Sequence, residues 1–595
     1  MVIHTRLLYK KIFIISNQEL NFEACTNHDF ICKNRFISVF LPSLTYGISM
    51  KIANNTCLEN TPASKAWNVL STNPFRTWPM RSKIHNNVNR LESFPILKID
   101  VPTIKRDTKL LTLGSCFANN LLKYISFFSV NSLNRDYIQN CAQNEIQWTN
   151  IYNPLVFLEF IKMAREIHQN GVLSERSCNL GFFEKENKAI DLMFTIERQV
   201  DFENAQERQQ KRTLFFKNFM TKVFEADVII LTFGLVECWY DTLYEGYINV
   251  APNPSQLGQA IDRFEFQVLE YNQIVAAIQE IIDIIQNFGQ SEVKFIMSIS
   301  PVPLLATFRP QDVIISNMYS KSLLRVSIEP FVSQYSNVFY FPSYEIVSYA
   351  SVENFWTNDL RHVTPKYIVR IVNMFSNASL TPEEFPFLRV ASCTLYALTE
   401  LLSKTEDTPT NMIREIGVGV YSSYPCELSD DLALVIEQEI ENVSSHMNQN
   451  TKALLFAKLL LAIKKQQLLE AKNLYMKIVS EYILMESFEV AIIAGYGLLL
   501  KEPRSVLKVL NRFNAQHHEL WQVYYHYFLA YLQLNEHKKA LEKVNSGIKN
   551  ENISKWILRD HRAKNFIDHA CKIAEICNDS HSLDIFQKVK NNAVW

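Results

Sequence analysis

Three side chains in this chain have the types that nucleophilic acyl transfer requires. Ser115 stands where an apolar run ends in Gly114 and a helical pattern begins. A serine hydroxyl is a weak nucleophile, so it needs a base within hydrogen-bond reach, and that base needs an acid to orient it. Asp359 and His362 lie three residues apart, which lets the carboxylate reach one imidazole nitrogen while the other nitrogen faces the serine. These residues predict a Ser–His–Asp site.

The junction around Ser115 also predicts how such a site would stabilise negative charge. Backbone N–H groups at the start of a helix point outward and favour an anion. The N–H groups of Ser115 and Cys116 are therefore candidate donors to an oxyanion. Cys116 allows two interpretations: its thiolate would be favoured at a helix start, which would make it a nucleophile, or it is a small buried residue beside Ser115. We expect the second.

Alternating strands and helices must position these residues. Short apolar runs alternate with helical stretches between residues 106 and 385. The predicted strands are 109–115, 226–234, 293–303 and 337–349, and the predicted helices are 116–128, 152–168, 266–289 and 365–375, the last with Thr364 as its N-cap. This alternation predicts a three-layer α/β/α domain of the flavodoxin-like type, with a parallel sheet covered by helices on both faces. The carboxyl ends of its strands meet at one edge, where Ser115 and the 359–362 loop can come together.

The segments outside this domain have other patterns. Residues 1–49 show no clear periodicity, and Met50 marks where a more ordinary polar N-terminus would begin, so we expect an N-terminal extension. Residues 50–105 form a Pro-punctuated, extended lead-in. Residues 386–445 are expected to be a linker with helical segments, and residues 446–595 an α-helical region.

The C-terminal helical region carries a faint repeat. Ala471, Ser505 and Ala540 lie 34 and 35 residues apart at similar places in helical patterns. Tyr496 and Tyr531 both precede the small residue by nine positions. This period is close to that of tetratricopeptide helical hairpins, although the full consensus is absent and a plain helical bundle is the alternative.

Composition excludes several classes of function. The 595-residue chain has a net charge of −1, so no broad field favours nucleic acid or an anionic membrane. The 11 cysteines show no zinc-like spacing, which predicts reduced thiols in a cytoplasmic protein and no metal. No run of about 18 apolar residues exists, so no membrane span is predicted. The stretch KKIFIISNQELNF is too short and too polar for a secretory signal.

Six short motifs give the chain a family resemblance. They are GSCFA at 114–118, YNP at 152–154, LTFGLVECW at 231–239, SISPVPLLATF at 298–308, SNMYSKSLLR at 316–325 and DLRH at 359–362. Over roughly residues 106–380 the chain resembles the GSCFA domain family, which looks like a branch of the SGNH/GDSL hydrolases. The resemblance implies an SGNH-like fold with Ser115 as nucleophile, Asp359 as acid and His362 as base, and no metal or cofactor.

One part of the superfamily pattern is altered here. In SGNH hydrolases, a Gly and an Asn from two later loops complete the oxyanion hole. Gly234 fits the loop that normally reads G-x-N-D, but here the loop reads GLVE and the usual Asn is missing. Glu237 brings a carboxylate, which cannot donate a hydrogen bond unless it is protonated. Asn153 is a substitute donor, or else the N-terminal cap of the following helix.

Three further residues are candidates for contact with substrate. Trp239, with Glu237, could shape a substrate pocket or simply end a strand. Lys321 and Arg325, four residues apart on a helical stretch, could meet an anionic or glycan substrate or lie on a solvated face.

Two functional classes remain open from the sequence. The first is a serine esterase or O-acyltransferase that acts on an O-acyl ester through an acyl-serine intermediate, with a small molecule or a glycan as the alcohol part. The second is a non-catalytic SGNH-like domain that binds a ligand without turnover. In both, the C-terminal helical region would bind a protein partner.

Overall fold

The computed structural model describes residues 62–72, 97, 99–134, 150–185, 188–194, 205–350, 355–356, 360–404, 428–443, 451–481, 487–513, 521–549, 557–558 and 563–593. The expected N-terminal extension at residues 1–49 lies outside the described residues.

Nine strands form within these ranges. They are β1 Leu110–Gly114, β2 Phe182–Lys185, β3 Lys188–Asp191, β4 Val228–Phe233, β5 Glu237–Asp241, β6 Gly246–Ile248, β7 Phe264–Val268, β8 Lys294–Ile299 and β9 Val338–Phe341. The central sheet has the order β1-β4-β8-β9, and all its pairs are parallel. This confirms the predicted parallel sheet.

Twenty α-helices accompany the strands in the described part of the chain. They are α1 Ala63–Thr72, α2 Cys116–Ile125, α3 Pro154–Asn170, α4 Glu175–Asn179, α5 Ala205–Asn218, α6 Pro254–Leu257, α7 Tyr271–Phe288, α8 Val313–Gln334, α9 Ser343–Ser348, α10 Pro365–Ser379, α11 Leu388–Lys404, α12 Asp430–Asn442, α13 Lys452–Lys464, α14 Leu468–Glu481, α15 Ser487–Leu499, α16 Pro503–Phe513, α17 Trp521–Gln533, α18 His537–Lys549, α19 Ala563–Ile576 and α20 Ser580–Asn592.

Helices cover both faces of the central sheet. Successive residues of a strand point to opposite faces, so Leu110 belongs to one hydrophobic cluster and Leu111 to the other. Helices α2 and α10 pack on the first face, and α3 and α7 pack on the second. The domain is therefore the predicted three-layer α/β/α arrangement.

The outer edge of β1 has partners in the segment that follows α2. Leu110 forms a parallel bridge with Ser132. Beyond it, the Asn134 side chain replaces a neighbouring strand: the N–H of Thr112 donates to Asn134 Oδ1, and Asn134 Nδ2 donates to the carbonyl of Thr112, both at 2.8 Å. Because Asn134 is fully buried, this edge is closed to further strand pairing along the first half of β1.

Two predicted elements are corrected by the structure. The predicted helix 266–289 begins only at Tyr271, because Phe264–Val268 forms β7 and pairs antiparallel with β5. The predicted strand 337–349 ends at Phe341, and Ser343–Ser348 forms α9. In both segments a strand and a helix follow each other within a few residues, and the apolar pattern alone joins them.

Smaller elements were also not predicted. An antiparallel sheet of order β6-β5-β7 is inserted after β4, and β2 and β3 form a hairpin. The lead-in predicted to be extended contains the exposed helix α1, Ala63–Thr72.

The C-terminal region consists of helical hairpins. Four of them, α13–α14, α15–α16, α17–α18 and α19–α20, turn through a residue in the left-handed region: Gln466 (φ 57°), Lys501 (58°), Asn535 (60°) and Asn578 (54°). In each turn the next N–H bonds the carbonyl five residues earlier, for example Glu502 to Gly497 at 2.8 Å. This is the Schellman ending of a helix. The turns lie 35, 34 and 43 residues apart.

These turns define the equivalent positions of the hairpins. The N–H groups that close the first three turns belong to Gln467, Glu502 and Glu536. Four residues further along the chain, the equivalent positions hold Ala471, Val506 and Ala540. The predicted equivalence of Ser505 with Ala471 and Ala540 is therefore one residue out of register. A left-handed turn residue that is not glycine leaves no plain sequence signal, which explains the error.

The helical region shares a core with the α/β domain. The segment predicted to be a linker contains α11, which packs against both α10 and α13. Phe127, just after α2, meets Phe456 of α13 edge to face at 5.8 Å between ring centroids. One hydrophobic cluster extends from the sheet face with α2 and α10 through the helical hairpins. No helix in the described ranges is both long and apolar enough to cross a membrane.

Candidate functional site

The segment before α3 joins the carboxyl ends of β1 and β4. The N–H of Ile151 donates to the carbonyl of Gly114 at 3.0 Å, and the N–H of Gly234 donates to the carbonyl of Tyr152 at 2.7 Å. Three of the motifs noted in the sequence, GSCFA, YNP and LTFGLVECW, therefore meet at one edge of the sheet.

Ser115 is fixed where β1 passes into α2. Gly114 has φ 138°, and a Cβ built there would lie 2.4 Å from the carbonyl oxygen of Thr232, so only glycine fits. Ser115 itself is 1% exposed. Its Oγ accepts a hydrogen bond from the N–H of Phe117 at 3.2 Å, in the manner of a helix cap. A hydroxyl that accepts this bond still carries a proton that it can donate.

Most of the predicted oxyanion donors are already bonded within the protein. The N–H of Ser115 donates to the carbonyl of Thr232 at 3.2 Å, and the N–H of Gly234 donates to Tyr152. Helix α2 begins at Cys116, and the first N–H groups of a helix have no partner within the helix. The Cys116 N–H is therefore the remaining candidate donor to an oxyanion.

Asn153 caps α3. Its Oδ1 accepts from the N–H of Leu155 at 2.9 Å, and its Nδ2 donates to the carbonyl of Leu235 at 3.3 Å. Of the two roles considered from the sequence, the structure shows the cap, and the amide also ties α3 to the loop after β4.

Glu237 fastens the loop that follows β8. Its Oε1 accepts from the Thr307 hydroxyl at 2.6 Å, and its Oε2 accepts from the N–H of Phe308 at 3.1 Å. The carboxylate is 7% exposed. Because both oxygens accept bonds from one loop, Glu237 acts here as the anchor of that loop.

Lys321 is buried, which neither of the predicted roles anticipated. The side chain is 1% exposed, and its ammonium donates to the carbonyls of Gly234 at 2.7 Å and Val302 at 2.9 Å. Lys321 therefore lies neither on a solvated face nor at the surface to meet substrate. It ties the loops after β4 and β8 to each other and to α8.

Arg325, one turn further along α8, is bound by neighbouring side chains. It pairs with Glu329 and Glu345, and its guanidinium lies 4.2 Å from the centre of the Tyr340 ring. The Tyr340 hydroxyl donates to Glu345 at 2.9 Å. Burial and the adjacent Glu345 charge raise the pKa of Tyr340. Arg325 therefore helps to hold α8 against β9 and α9.

The segment that carries His362 reaches the carboxyl end of β8. The guanidinium of Arg361 donates to the carbonyl of Pro303 at 3.2 Å, and His362 is half-buried. Asp359 lies outside the described residues. Because β4 stands between β1 and β8, those strand ends are about 10 Å apart. His362 would have to lie over the end of β4 to reach Ser115.

A pocket of about 120 Å³ opens beside this edge. Its walls include Asn153, Leu235, Glu237 and Trp239, with the loop after β8 on one side. Ser115 is not among its lining residues. The sequence signals that could have located it are the YNP and LTFGLVECW motifs, which supply most of one wall. No cluster of metal-binding side chains occurs among the described residues.

One of three comparisons with known proteins gives a match, and it covers part of the chain. Residues 109–375 match the model of the GSCFA family. Neither the curated proteins nor the solved structures gave a match. The matched segment starts at β1 and ends within α10, so it covers the whole central sheet and all the motifs described above. Residues 109–375 therefore form a GSCFA family domain, followed by an all-helical region.

Proposed function

We propose that the GSCFA domain is a serine esterase or O-acyltransferase of the SGNH/GDSL type, with Ser115 as nucleophile, His362 as base and Asp359 as acid. The observation that carries the proposal is the placement of Ser115, which a glycine-only junction holds at the carboxyl edge of the sheet. The segment of His362 is bonded to a loop of the same edge. A glycan is the alcohol part that we suggest for the ester.

The proposed reaction proceeds through an acyl-serine. Ser115 Oγ bonds to the ester carbonyl carbon while its proton passes to His362. The oxyanion is stabilised by the N–H of Cys116 and the start of α2. The bond to the alcohol oxygen then breaks, and the alcohol leaves with the proton from His362. Water or a second alcohol takes the acyl group and restores the serine.

Labelling with a fluorophosphonate probe tests the nucleophile. We expect the chain to be labelled, and we expect Ser115→Ala to abolish labelling. Cys116→Ala should retain it, which excludes a thiol mechanism. Ser379→Ala is the matched control, because Ser379 is equally buried at 1% exposure but lies at the end of α10. Labelling that survives Ser115→Ala would remove Ser115 from this role.

A second candidate function is ligand binding without turnover, with the helical region as a tetratricopeptide-like module for a protein partner. It is favoured by the N–H groups of Ser115 and Gly234, which already bond within the protein. Absence of both labelling and ester turnover in the folded chain would favour this candidate over the enzyme.

A further inference from the structure

The pocket beside the sheet edge is lined mostly by apolar side chains, and the polar side chains of its walls bond within the protein. The carboxylate of Glu237 is bonded to Thr307 and Phe308, and the amide of Asn153 is bonded to Leu155 and Leu235. A sugar ring in this space would need hydrogen-bond partners for its hydroxyls, and burying a polar group without a partner is costly. A hydrocarbon chain needs no hydrogen-bond partner.

Asn249 also lines the pocket, and its side-chain amide donates to the carbonyl of Asn150. Most of the other walls offer hydrocarbon and aromatic contacts. Trp239 lies edge to face with Phe308 at 5.0 Å and packs on Phe266 at 5.4 Å. Val156 closes the pocket from α3. Burial raises the pKa of Cys238 to about 12, so this wall residue is an uncharged thiol at neutral pH.

Exposed apolar side chains lie on the loop after β8 and on the first turns of α8. We call them the apolar rim: Leu305, Phe308, Ile314, Ile315, Met318 and Tyr319, which are 41% to 76% exposed. Phe308 belongs to both the pocket and the rim. The loop and α8 are tied together, because the N–H of Leu304 donates to Asn317 Oδ1 at 3.2 Å. This bond holds the exposed apolar side chains of the loop and of α8 near each other, and an exposed apolar patch is typical of a binding site.

We propose that the pocket binds the acyl chain of the ester and that the apolar rim receives the part of a longer chain that the pocket cannot hold. The proposal rests on the esterase or acyltransferase function proposed above, and it names the acyl group as an apolar chain rather than acetate. A cavity of about 150 Å³ takes a six-carbon ring, so this pocket holds about four or five carbons. Tyr152 lines the pocket, and the N–H of the preceding Ile151 donates to the carbonyl of Gly114 beside Ser115. The proposed path of the chain from the nucleophile to the pocket follows this segment.

Binding can be tested apart from catalysis in the Ser115→Ala variant. The probe is methyl 5-bromopentanoate, which is short enough to place its bromine in the pocket, where it quenches a tryptophan that it touches. We expect saturable quenching that is lost in Trp239→Phe and weakened at least tenfold in Ala306→Phe, which narrows the mouth. Leu243→Ser is the matched control, because Leu243 is also exposed but lies between β5 and β6, outside the pocket walls.

Turnover gives a second measurement in the full chain. For 4-nitrophenyl acetate, butyrate and hexanoate, we expect kcat/KM to rise about fourfold for each methylene buried. The double variant Leu305→Ser, Ile314→Ser should lower kcat/KM at least tenfold for the octanoate ester, whose chain reaches the apolar rim, and by a smaller factor for the butyrate ester. Leu243→Ser should change neither.

The two proposals fail in different ways. Quenching through Trp239 without turnover of any ester would refute the enzyme and keep the apolar pocket. Turnover that is independent of chain length, with no quenching through Trp239, would keep the enzyme and overturn the acyl-chain pocket.

Discussion

Gly114 is the residue on which the position of Ser115 depends. Its φ of 138° is open to glycine and strained for other residues, and the space where a Cβ would stand holds the backbone of Thr232. A side chain at residue 114 would therefore push β1 away from β4. This displacement would occur next to the hydrogen bond from the N–H of Ser115 to the carbonyl of Thr232. The same glycine that makes the junction recognisable in the sequence is required by the sheet.

We predict that Gly114→Ala lowers the free energy of unfolding by at least about 3 kcal/mol, because backbone strain and a clash add together. Urea denaturation measures the change. Gly171→Ala is the control: Gly171 also has a positive φ, 74°, but nothing lies within 4 Å of its Cβ position, so its cost should be about 1–2 kcal/mol. Equal costs for the two variants would contradict the proposed clash.

His569 in α19 should make stability depend on pH. It is buried and its Nδ1 lies 2.9 Å from the Tyr525 hydroxyl. Burial and the charge of Lys572 lower its pKa in the folded chain. In the unfolded chain this histidine has a pKa near 6.5. Below that pH the unfolded chain binds a proton that the folded chain does not bind. The free energy of unfolding therefore falls as the pH drops below about 6.5.

His569→Asn should therefore reduce the loss of stability between pH 8 and pH 5, measured as the urea midpoint at each pH. The control is His581→Asn, because His581 is exposed on the neighbouring α20. A loss of stability that is the same in His569→Asn as in the unmodified chain would show that His569 does not contribute.

At the scale of the element, the helical hairpins share one turn conformation, which is occupied by glutamine, by lysine and twice by asparagine. A left-handed conformation costs an ordinary residue about 1–2 kcal/mol, whereas glycine adopts it readily and asparagine is tolerated. Lys501 at φ 58° and Asn535 at φ 60° occupy the same position in successive hairpins. The lysine turn should therefore carry the larger strain.

We predict that Lys501→Gly raises the free energy of unfolding by about 0.5–1 kcal/mol, because the relief of strain exceeds the added entropy of the unfolded chain. Thermal unfolding is the measurement. Asn535→Gly should produce a smaller rise. A larger gain at Asn535 than at Lys501 would argue against backbone strain as the cause.

The elements that could be predicted from sequence are those whose burial is uniform. Strands β1, β4 and β8 are covered on both faces, so they read as continuous apolar runs. Strand β7 is only partly buried and stands directly before α7, so its FEFQV pattern merges with the helix. Lys321 could not be placed, because a lysine on a helix is usually exposed, and its two carbonyl partners are brought together only by the folded sheet.

At the scale of the whole molecule, the two regions are predicted to depend on each other. Phe456 of α13 is fully buried against Phe127 of the α/β domain, and Lys452 beside it pairs with the buried Glu489. A repeat array transmits stability from neighbour to neighbour. A hairpin that packs on the sheet domain therefore links that domain to the rest of the array.

Phe456→Ala should cost about 3–5 kcal/mol and should loosen both regions, because its cavity lies where they meet. Hydrogen exchange followed by mass spectrometry should show faster exchange in β8 as well as in α13–α14. Phe586→Ala is the matched control: Phe586 is equally buried but lies in α20 of the last hairpin, so its effect should be concentrated in α19–α20. If β8 exchanges at its original rate in Phe456→Ala, the α/β domain keeps its stability without α13, and the shared core is a contact between two independently stable parts.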